Sequence, residues 1–280
     1  MRNNIRKQRF GHLQAGFLVG LSLMAAPLGA EVSTKQAPAG CTVQRGTLGE
    51  KDQAAPELST EQMEVALARN GEGFLIIDAR PYEEFAVSHI PGAVNVAPKP
   101  GLSMSQYTSD AGEIDKLTGG RKNLAVVLYC NGPFCGKSKR LAADLVRAGY
   151  TSVSRYQLGI PVWRALGHPT QAEGDAIWST LDKDRTAVVI DAREAGAFQG
   201  GSLPGARNVR FDEVAKAKDD GRLPMLDHNT RIFVVGKDAA EARAVAQEIA
   251  RNAFHNVSFF AGSVDVLMLA RPRSEVPAPK

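Results

Sequence analysis

The sequence contains few cysteines and little excess of charge of either sign. Only three of its 280 residues are cysteine, too few for a framework of disulfide bonds. Lysine and arginine outnumber aspartate and glutamate by 34 to 30, and residues 1–30 hold four of the basic residues and no acidic one. The rest of the chain is therefore balanced, which gives no compositional support for binding nucleic acid or an anionic membrane.

The chain also lacks a hydrophobic run long enough to span a membrane comfortably as a permanent helix. Its apolar run at residues 15–26 follows basic residues and precedes the small residues of 27–30, an arrangement typical of a signal peptide. We expect residues 1–30 to direct export to the periplasm or out of the cell and then to be removed, leaving no stable membrane span. An uncleaved leader that anchors the protein is the alternative.

With 44% hydrophobic and 23% charged residues, the chain can form a substantial core and has the length of two ordinary domains. Residues 31–56 are rich in small and polar residues without periodicity, which predicts a flexible linker. A short helix should follow, because Ser59 and Gln62 form a capping-box pattern. A buried strand is predicted next, over residues 74–77.

An internal repeat divides the rest of the chain into two similar halves. Residues 77–96 (IDARPYEEFAVSHIPGAVNV) and 190–209 (IDAREAGAFQGGSLPGARNV) are identical at ten of twenty positions without a gap. A second apolar strand follows in each half, at 125–129 and 231–235, and then a helix with apolar residues four apart. This alternation predicts an α/β fold with mostly parallel sheets covered on both faces.

The repeat and the turn residues suggest domain boundaries. Residues 57–172 are predicted to form the first domain, because Gly167, His168 and Pro169 mark its end and a polar stretch follows. Residues 173–272 would form the second domain, and residues 273–280 a tail.

One loop carries the residues best suited to chemistry. The strand 125–129 leads into residues 130–138 (CNGPFCGKS), and a helix is predicted to start at or just after Ser138. Open α/β sheets bind ligands at this end of their strands. The glycines and proline let the loop curl, so that backbone N–H groups and the positive end of the helix form a nest for an anion. Such a nest stabilises a thiolate, which makes Cys130 the candidate nucleophile, with an inert buried cysteine as the alternative.

Other residues of this loop would hold an anionic substrate. Lys137 supplies a cation, with a solvated lysine as the alternative. Ser138 is expected to cap the helix or to donate to the bound anion. The candidate substrate-binding residues are Asn131, Gly132, Phe134, Gly136, Lys137 and Ser138.

Three polar residues outside the loop are predicted to support it. Asp78 and Arg80 recur as Asp191 and Arg193 in the half without a cysteine in its loop, which favours a structural role over substrate contact. His89 belongs to a turn and is expected to brace it. The histidines are scattered without ligand spacing, so neither a metal site nor a cofactor is predicted.

These motifs resemble the rhodanese homology family of sulfurtransferases. The resemblance rests on residues 77–80 (IDAR), residues 89–93 (HIPGA), the Cys130 loop, and Gly159 followed by Trp163. It implies two tandem rhodanese-like domains, each with a small, mostly parallel five-stranded sheet flanked by helices. It also implies that Cys130 takes sulfur from thiosulfate or a similar small donor as a persulfide, and that a thiol or cyanide-like acceptor removes it.

The chain departs from the family pattern in two places. The usual loop is shorter and has an Arg-Ser pair after the glycine, whereas this loop has two extra residues, Cys135, and Lys137 in place of arginine. In the second half, Gly236 takes the position of Cys130 in a shorter loop. The second domain is therefore expected to be degenerate and catalytically silent.

Two other classes of function remain open. Cys130 and Cys135 could act as a thiol redox or sulfur-relay pair, although their spacing differs from that of thioredoxin-like motifs. Cys135 would otherwise protect Cys130 or pack within the loop. The third class is a non-catalytic binding module. A phosphatase or arsenate reductase is excluded, because the position that needs a clamping arginine is Gly136.

Overall fold

The computed structural model describes residues 54–68, 73–96 and 110–271. The predicted signal peptide, the predicted tail and nearly all of the predicted linker lie outside these residues. The linker contains Cys41, the cysteine of the chain other than Cys130 and Cys135. Within the described ranges, none of the helices has both the length and the apolar character needed to cross a bilayer.

Strands and helices alternate along the described chain, as the hydrophobic pattern predicts. The strands are β1 (Phe74–Asp78), β2 (Val94–Asn95), β3 (Ala125–Tyr129), β4 (Val153–Tyr156), β5 (Thr170–Ala172), β6 (Val188–Asp191), β7 (Arg207–Asn208), β8 (Ile232–Val235) and β9 (Val257–Phe260). The helices are α1 (Thr60–Ala68), α2 (Tyr82–Val87), α3 (Ala111–Thr118), α4 (Gly136–Arg147), α5 (Gly159–Ala165), α6 (Gly174–Lys183), α7 (Ala195–Gln199), α8 (Val214–Asp219), α9 (Ala239–Arg251) and α10 (Val264–Leu269). A short 3₁₀ helix, Phe211–Glu213, precedes α8.

The strands form two parallel sheets. The first has the order β2-β1-β3-β4, and the second has the order β5-β9-β8-β6-β7. Ile77 pairs with Leu128 in the first sheet, and the equivalent Ile190 pairs with Val234 in the second. The predicted α/β fold with two similar domains is confirmed.

The two sheets differ at one edge. The second has five strands, whereas the described part of the first has four strands and an isolated parallel bridge between Glu57 and Arg155. Strand β5 pairs with β9 in the second sheet. The boundary predicted after residue 172 therefore needs correction, because it would separate β5 from the sheet to which it belongs.

Each sheet buries hydrophobic side chains on both faces. Ile77 and Leu128 pack in a cluster on one face of the first sheet, and Ile76 and Val127 pack in a cluster on the other. Neighbouring side chains of a strand point to opposite faces, so helices cover this sheet on both sides. The second domain repeats the arrangement. The candidate loop thus extends from β3, a strand buried in the middle of its sheet.

Hydroxyl groups and backbone bonds join the two domains. Thr170 Oγ1 accepts a hydrogen bond from Ser88 Oγ at 2.8 Å and lies 2.7 Å from Ser258 Oγ. The backbones of His89 and Gln171 exchange two hydrogen bonds of 2.9 and 2.8 Å. The turn after α2 is therefore fixed to the edge of the second sheet.

We expect Thr170→Val to destabilise the protein, because it leaves Ser88 and Ser258 without their shared buried partner. The expected loss in free energy of unfolding is about 1–3 kcal/mol, measured by urea denaturation. Thr151→Val is the control, since Thr151 is exposed and its replacement should change stability by less than about 0.5 kcal/mol. Equal losses in the two variants would contradict a stabilising role for the buried hydroxyl groups.

Candidate active site

Cys130 lies at the carboxyl end of β3, where the chain leaves the sheet. It is 2% exposed, and its carbonyl oxygen accepts a hydrogen bond from Ile160 N at 3.1 Å. Residues 130–135 connect β3 to α4, which begins at Gly136, two residues before the predicted start. Cys135 occupies the N-cap position of that helix.

Cys130 and Cys135 are joined by a disulfide bond, with their Cα atoms 6.2 Å apart. This separation is ordinary for a disulfide. The bond closes residues 130–135 into a ring, inside which Cys135 N donates to Gly132 O at 3.1 Å. One N–H group of the predicted anion nest is therefore already bonded within the loop. The sequence left open whether Cys130 and Cys135 pair, and the structure shows that they do.

Gly159, at the start of α5, packs against the backbone of this loop. A Cβ at this position would overlap the carbonyl oxygen of Cys130 and lie 2.5 Å from Gly132 N, and Gly159 has a φ of +66°. Both features require glycine. From the same side, Gln157 Nε2 donates to Pro133 O at 3.0 Å. The segment from Gln157 to Gly159 thus holds the loop in place.

The remaining loop residues differ in exposure. Gly132 is buried and has a φ of +96°, a value that favours glycine. Asn131 is exposed, and its Nδ2 donates to Glu84 Oε2 at 2.6 Å. Phe134 is 78% exposed. Of the predicted substrate-binding residues, Asn131 and Phe134 therefore lie on the outer side of the loop.

The first turn of α4 offers positive charge to the loop. Gly136 and Lys137 begin the helix, and its first turn, which the structure describes, contains no acidic side chain. Ser138 is buried, and its Oγ accepts a hydrogen bond from Arg155 Nη2 at 3.2 Å, so it does not form the predicted N-cap. The N-terminal end of the helix favours a thiolate or another anion at this loop.

Sequence reasoning missed Arg155. It is 1% exposed, although it sits in the middle of strand β4. The available signal is an arginine in a short strand that also contains Val153 and Tyr156, since charged side chains are rarely buried without a partner. Its contact with Ser138 depends on packing that the sequence pattern does not reveal.

Asp78 and Arg80 form a buried pair that reaches the residue before Cys130. Arg80 Nη2 donates to Asp78 Oδ2 at 2.6 Å and to Ser88 O at 2.5 Å. Tyr129 Oη donates to Asp78 Oδ2 at 2.6 Å. Burial raises the pKa of Tyr129 well above its ordinary value, and the neighbouring Asp78 adds to this effect, so the hydroxyl keeps its proton. These contacts add Tyr129, which sequence reasoning missed, and the bracing role of the pair stays a prediction.

His89 lies buried in the turn after α2. Its Nδ1 is 2.9 Å from Phe85 O, and its ring stacks on the Phe85 ring with the centroids 4.0 Å apart. Its Nε2 lies 3.7 Å from Glu173 Oε1, which is beyond hydrogen-bond distance. Burial lowers the pKa of His89 to about 4, so the ring is neutral near pH 7. These contacts fit the predicted bracing of the turn.

The equivalent loop of the second domain is built differently. Gly236 O accepts from Val264 N at 2.8 Å, as Cys130 O accepts from α5, so the two residues are structurally equivalent. Three residues separate β8 from α9, against six between β3 and α4. Glu241 Oε2 accepts from Lys237 N at 2.8 Å. A carboxylate of the protein therefore bonds the loop amide that an external anion would use.

The match to a protein-family model defines the class of protein. The model of the rhodanese-like domain matches residues 61–166 and 175–268. These two matches cover more than half of the chain, which therefore belongs to the rhodanese-like domain family and contains two copies of the domain in tandem. The resemblance drawn from the sequence motifs is confirmed.

Individual proteins match only part of the chain, or match more of it at low sequence identity. The HTH-type transcriptional regulator Rv0324 of Mycobacterium tuberculosis is 31% identical over 115 residues, which are 41% of this chain and 45% of that protein. The chain thus spans less than half the length of this curated relative. Among solved structures, the BH2092 protein of Bacillus halodurans matches 41% of this chain and 76% of its own, with 23% identity and a TM-score of 0.35. Thiosulfate sulfurtransferase from Pseudomonas aeruginosa matches 76% of this chain and 42% of its own, with 20% identity and a TM-score of 0.31.

Gly159→Ala should destabilise the protein more than Gly149→Ala. Both glycines have positive φ values, +66° and +89°, so both changes add backbone strain of about 1–2 kcal/mol. A Cβ at 159 would also overlap the loop backbone, whereas no described atom outside the immediate chain lies within 4 Å of a Cβ at 149. We expect an additional loss of about 1–3 kcal/mol at 159 in urea denaturation. Equal losses would contradict the tight contact between Gly159 and the loop.

The low pKa of His89 predicts a loss of stability in acid. The ring has a pKa near 6.5 when unfolded and about 4 when folded, so the unfolded chain binds the proton more tightly. The contribution of His89 to stability is complete above pH 6.5 and decreases as the pH falls towards 4, by about 3 kcal/mol in all. Stability measured by urea denaturation across this range should fall less steeply in His89→Gln than in the wild type. Identical slopes would show that the pKa of His89 is not lowered.

Proposed function

We propose that the protein is a sulfurtransferase in which Cys130 is the nucleophile. The observation that carries this proposal is the position of Cys130, at the carboxyl end of a central strand and bonded to Cys135 at the N-cap of α4. Membership of the rhodanese-like domain family favours sulfur transfer as the class of reaction. A thiolate held at the positive end of a helix is the form of cysteine that acts as a nucleophile.

In the proposed reaction, the Cys130 thiolate attacks the outer sulfur of thiosulfate or a similar sulfane donor. The bond inside the donor breaks, and sulfite or the corresponding remnant leaves with the electron pair. Cys130 then carries a persulfide, and the amides at the start of α4, together with Lys137, stabilise the negative charge. A thiol or cyanide-like acceptor removes the outer sulfur and restores the thiolate, so the reaction needs no cofactor.

The second domain has a non-catalytic role in this proposal. Gly236 provides no nucleophile, and the carboxylate of Glu241 bonds the amide that a substrate anion would need. The domain instead supports the first one through the contacts of Thr170, Gln171 and Ser258 with the last residue of α2 and the turn after it.

We also propose that the protein works in the periplasm or outside the cell. The pattern of residues 1–30 supports this location, whether the leader is removed or remains as an anchor. The disulfide supports it as well, because disulfides persist in oxidising compartments. Before it can act as a nucleophile, Cys130 must be released from this bond by a reductant.

A thiol–disulfide oxidoreductase is the second candidate, and the Cys130–Cys135 disulfide favours it. Such an enzyme would exchange electrons with other thiols without carrying sulfur. Uptake of sulfur therefore separates the two candidates.

The persulfide can be detected as an increase in intact mass. After reduction and treatment with thiosulfate, Cys135→Ser should gain one sulfur, about 32 Da, because Cys130 remains to accept it. Cys130→Ser should gain none and should lose sulfur transfer. Cys41→Ser, combined with both variants, removes the third thiol from the measurement. If no sulfane donor adds mass to Cys135→Ser, while the wild type loses two hydrogens on mild oxidation, the oxidoreductase is the better description.

A further inference from the structure

The disulfide places a second sulfur directly against the proposed nucleophile. Cys130 and Cys135 lie at the two ends of one short loop, with their Cα atoms 6.2 Å apart. Their sulfur atoms are bonded to each other in the folded protein. A reaction between the two side chains is therefore intramolecular and needs no encounter with another molecule.

The two cysteines differ in access from solvent. Cys130 is 2% exposed, whereas Cys135 is partly exposed. The start of α5 closes on the backbone of Cys130 through the hydrogen bond from Ile160 N and the close approach of Gly159. A bulky external acceptor has little access to a sulfur carried by Cys130. The thiol of Cys135, in contrast, already lies beside Cys130 in the folded protein.

The position of Cys135 also favours its reactive form. It is the N-cap of α4, a helix of 12 residues whose described first turn has no acidic side chain. Lys137 adds a cation in the same turn. Positive charge at a helix N-terminus stabilises a thiolate, which is the attacking species in thiol exchange.

We propose that Cys135 resolves the Cys130 persulfide and releases hydrogen sulfide, an inference that rests on the proposed function. The Cys135 thiolate attacks Sγ of Cys130, and a new bond forms between the two cysteine sulfurs. The bond from Sγ to the outer sulfur breaks, and the outer sulfur leaves as HS⁻ with the electron pair. This sulfur is reduced to sulfide while the two cysteine sulfurs are oxidised to the disulfide. One thiosulfate and two cysteine thiols thus give one sulfite, one hydrogen sulfide and one disulfide.

An external dithiol completes the cycle. One of its thiolates attacks the sulfur of Cys135, the partly exposed residue of the pair, and Cys130 leaves as a thiolate. The second thiol of the reductant then displaces Cys135, so the reductant ends as a disulfide and both cysteines are regenerated. The disulfide described above is the state of the enzyme after each turnover. The same site therefore reduces sulfane sulfur to sulfide at the expense of a dithiol.

A single-turnover experiment tests this role of Cys135. The full chain carrying Cys41→Ser is reduced, freed of reductant and mixed with excess thiosulfate in the absence of any thiol. It should release about one sulfide per chain and end two hydrogens lighter. The same protein with Cys135→Ser should keep the added sulfur and release about tenfold less sulfide in the same time. Sulfide is measured colorimetrically and the protein by intact mass.

Two further measurements separate loss of the Cys135 thiol from loss of folding and test whether the cycle repeats. Cys135→Ala repeats the test without a hydroxyl group, and circular dichroism checks that both variants fold. After reduction by a dithiol and its removal, the protein with both site cysteines should give a second release of the same size. Absence of that second release would contradict the proposed cycle.

The outcomes distinguish this inference from the function on which it rests. A stable gain of about 32 Da in the protein with both site cysteines, or equal sulfide release from Cys135→Ser, would overturn the resolving role but leave sulfur transfer to Cys130 intact. If Cys135→Ser and Cys135→Ala take up no sulfur from any sulfane donor, the proposed function fails, and this inference fails with it.

Discussion

The buried ion pair of Asp78 and Arg80 is the constraint on which the first domain depends. Asp78 is 0% exposed, and a carboxylate in such a place is tolerated only when its charge and hydrogen bonds are satisfied. Arg80 supplies the charge and extends to Ser88 O, while Tyr129 donates to the same carboxylate. Asn95 Nδ2 donates to the carbonyl oxygens of both Asp78 and Arg80, at 3.0 and 2.8 Å. The ion pair and its hydrogen bonds thus join the end of β1 to the end of β3, to the segment that leads into α2, and to the strand β2.

The second domain keeps this pair but changes its third partner. Arg193 Nη2 donates to Asp191 Oδ2 at 2.8 Å, and Ser202 Oγ donates to the same oxygen at 2.6 Å. Ser202 stands at the repeat position of His89, and the strand residue opposite Asp191 is Val235, which has no hydroxyl group. The carboxylate is therefore satisfied without a bond to the strand that leads into the loop. The fold requires the ion pair, whereas the length and chemistry of that loop can change independently.

Periodic and repeated features of the sequence could be predicted, whereas contacts between distant elements could not. The bounds of β3 followed from its continuous apolar run, and the equivalence of the two domains from the repeat. The start of α4 was misplaced because Ser138 has the character of an N-cap, but Arg155 on a neighbouring strand takes its hydroxyl group. Strand β5 (TQA) has no apolar pattern, and its pairing with β9 fixes its domain. Propensity and periodicity describe single elements and carry no information about such partners.

Positioning of Cys130 does not depend on the disulfide. Its carbonyl oxygen is held by Ile160 N, its backbone is enclosed by Gly159, and the preceding Tyr129 is fixed by Asp78. None of these contacts involves the sulfur atom, so reduction of the bond removes none of the groups that make them. Between the two cysteines, Gly132 is buried, Pro133 is partly exposed, and Asn131 and Phe134 are exposed. In the proposed cycle, Cys130 is anchored through its backbone and Cys135 lies at a helix N-terminus, so the thiol, persulfide and disulfide forms require no rearrangement of the sheet.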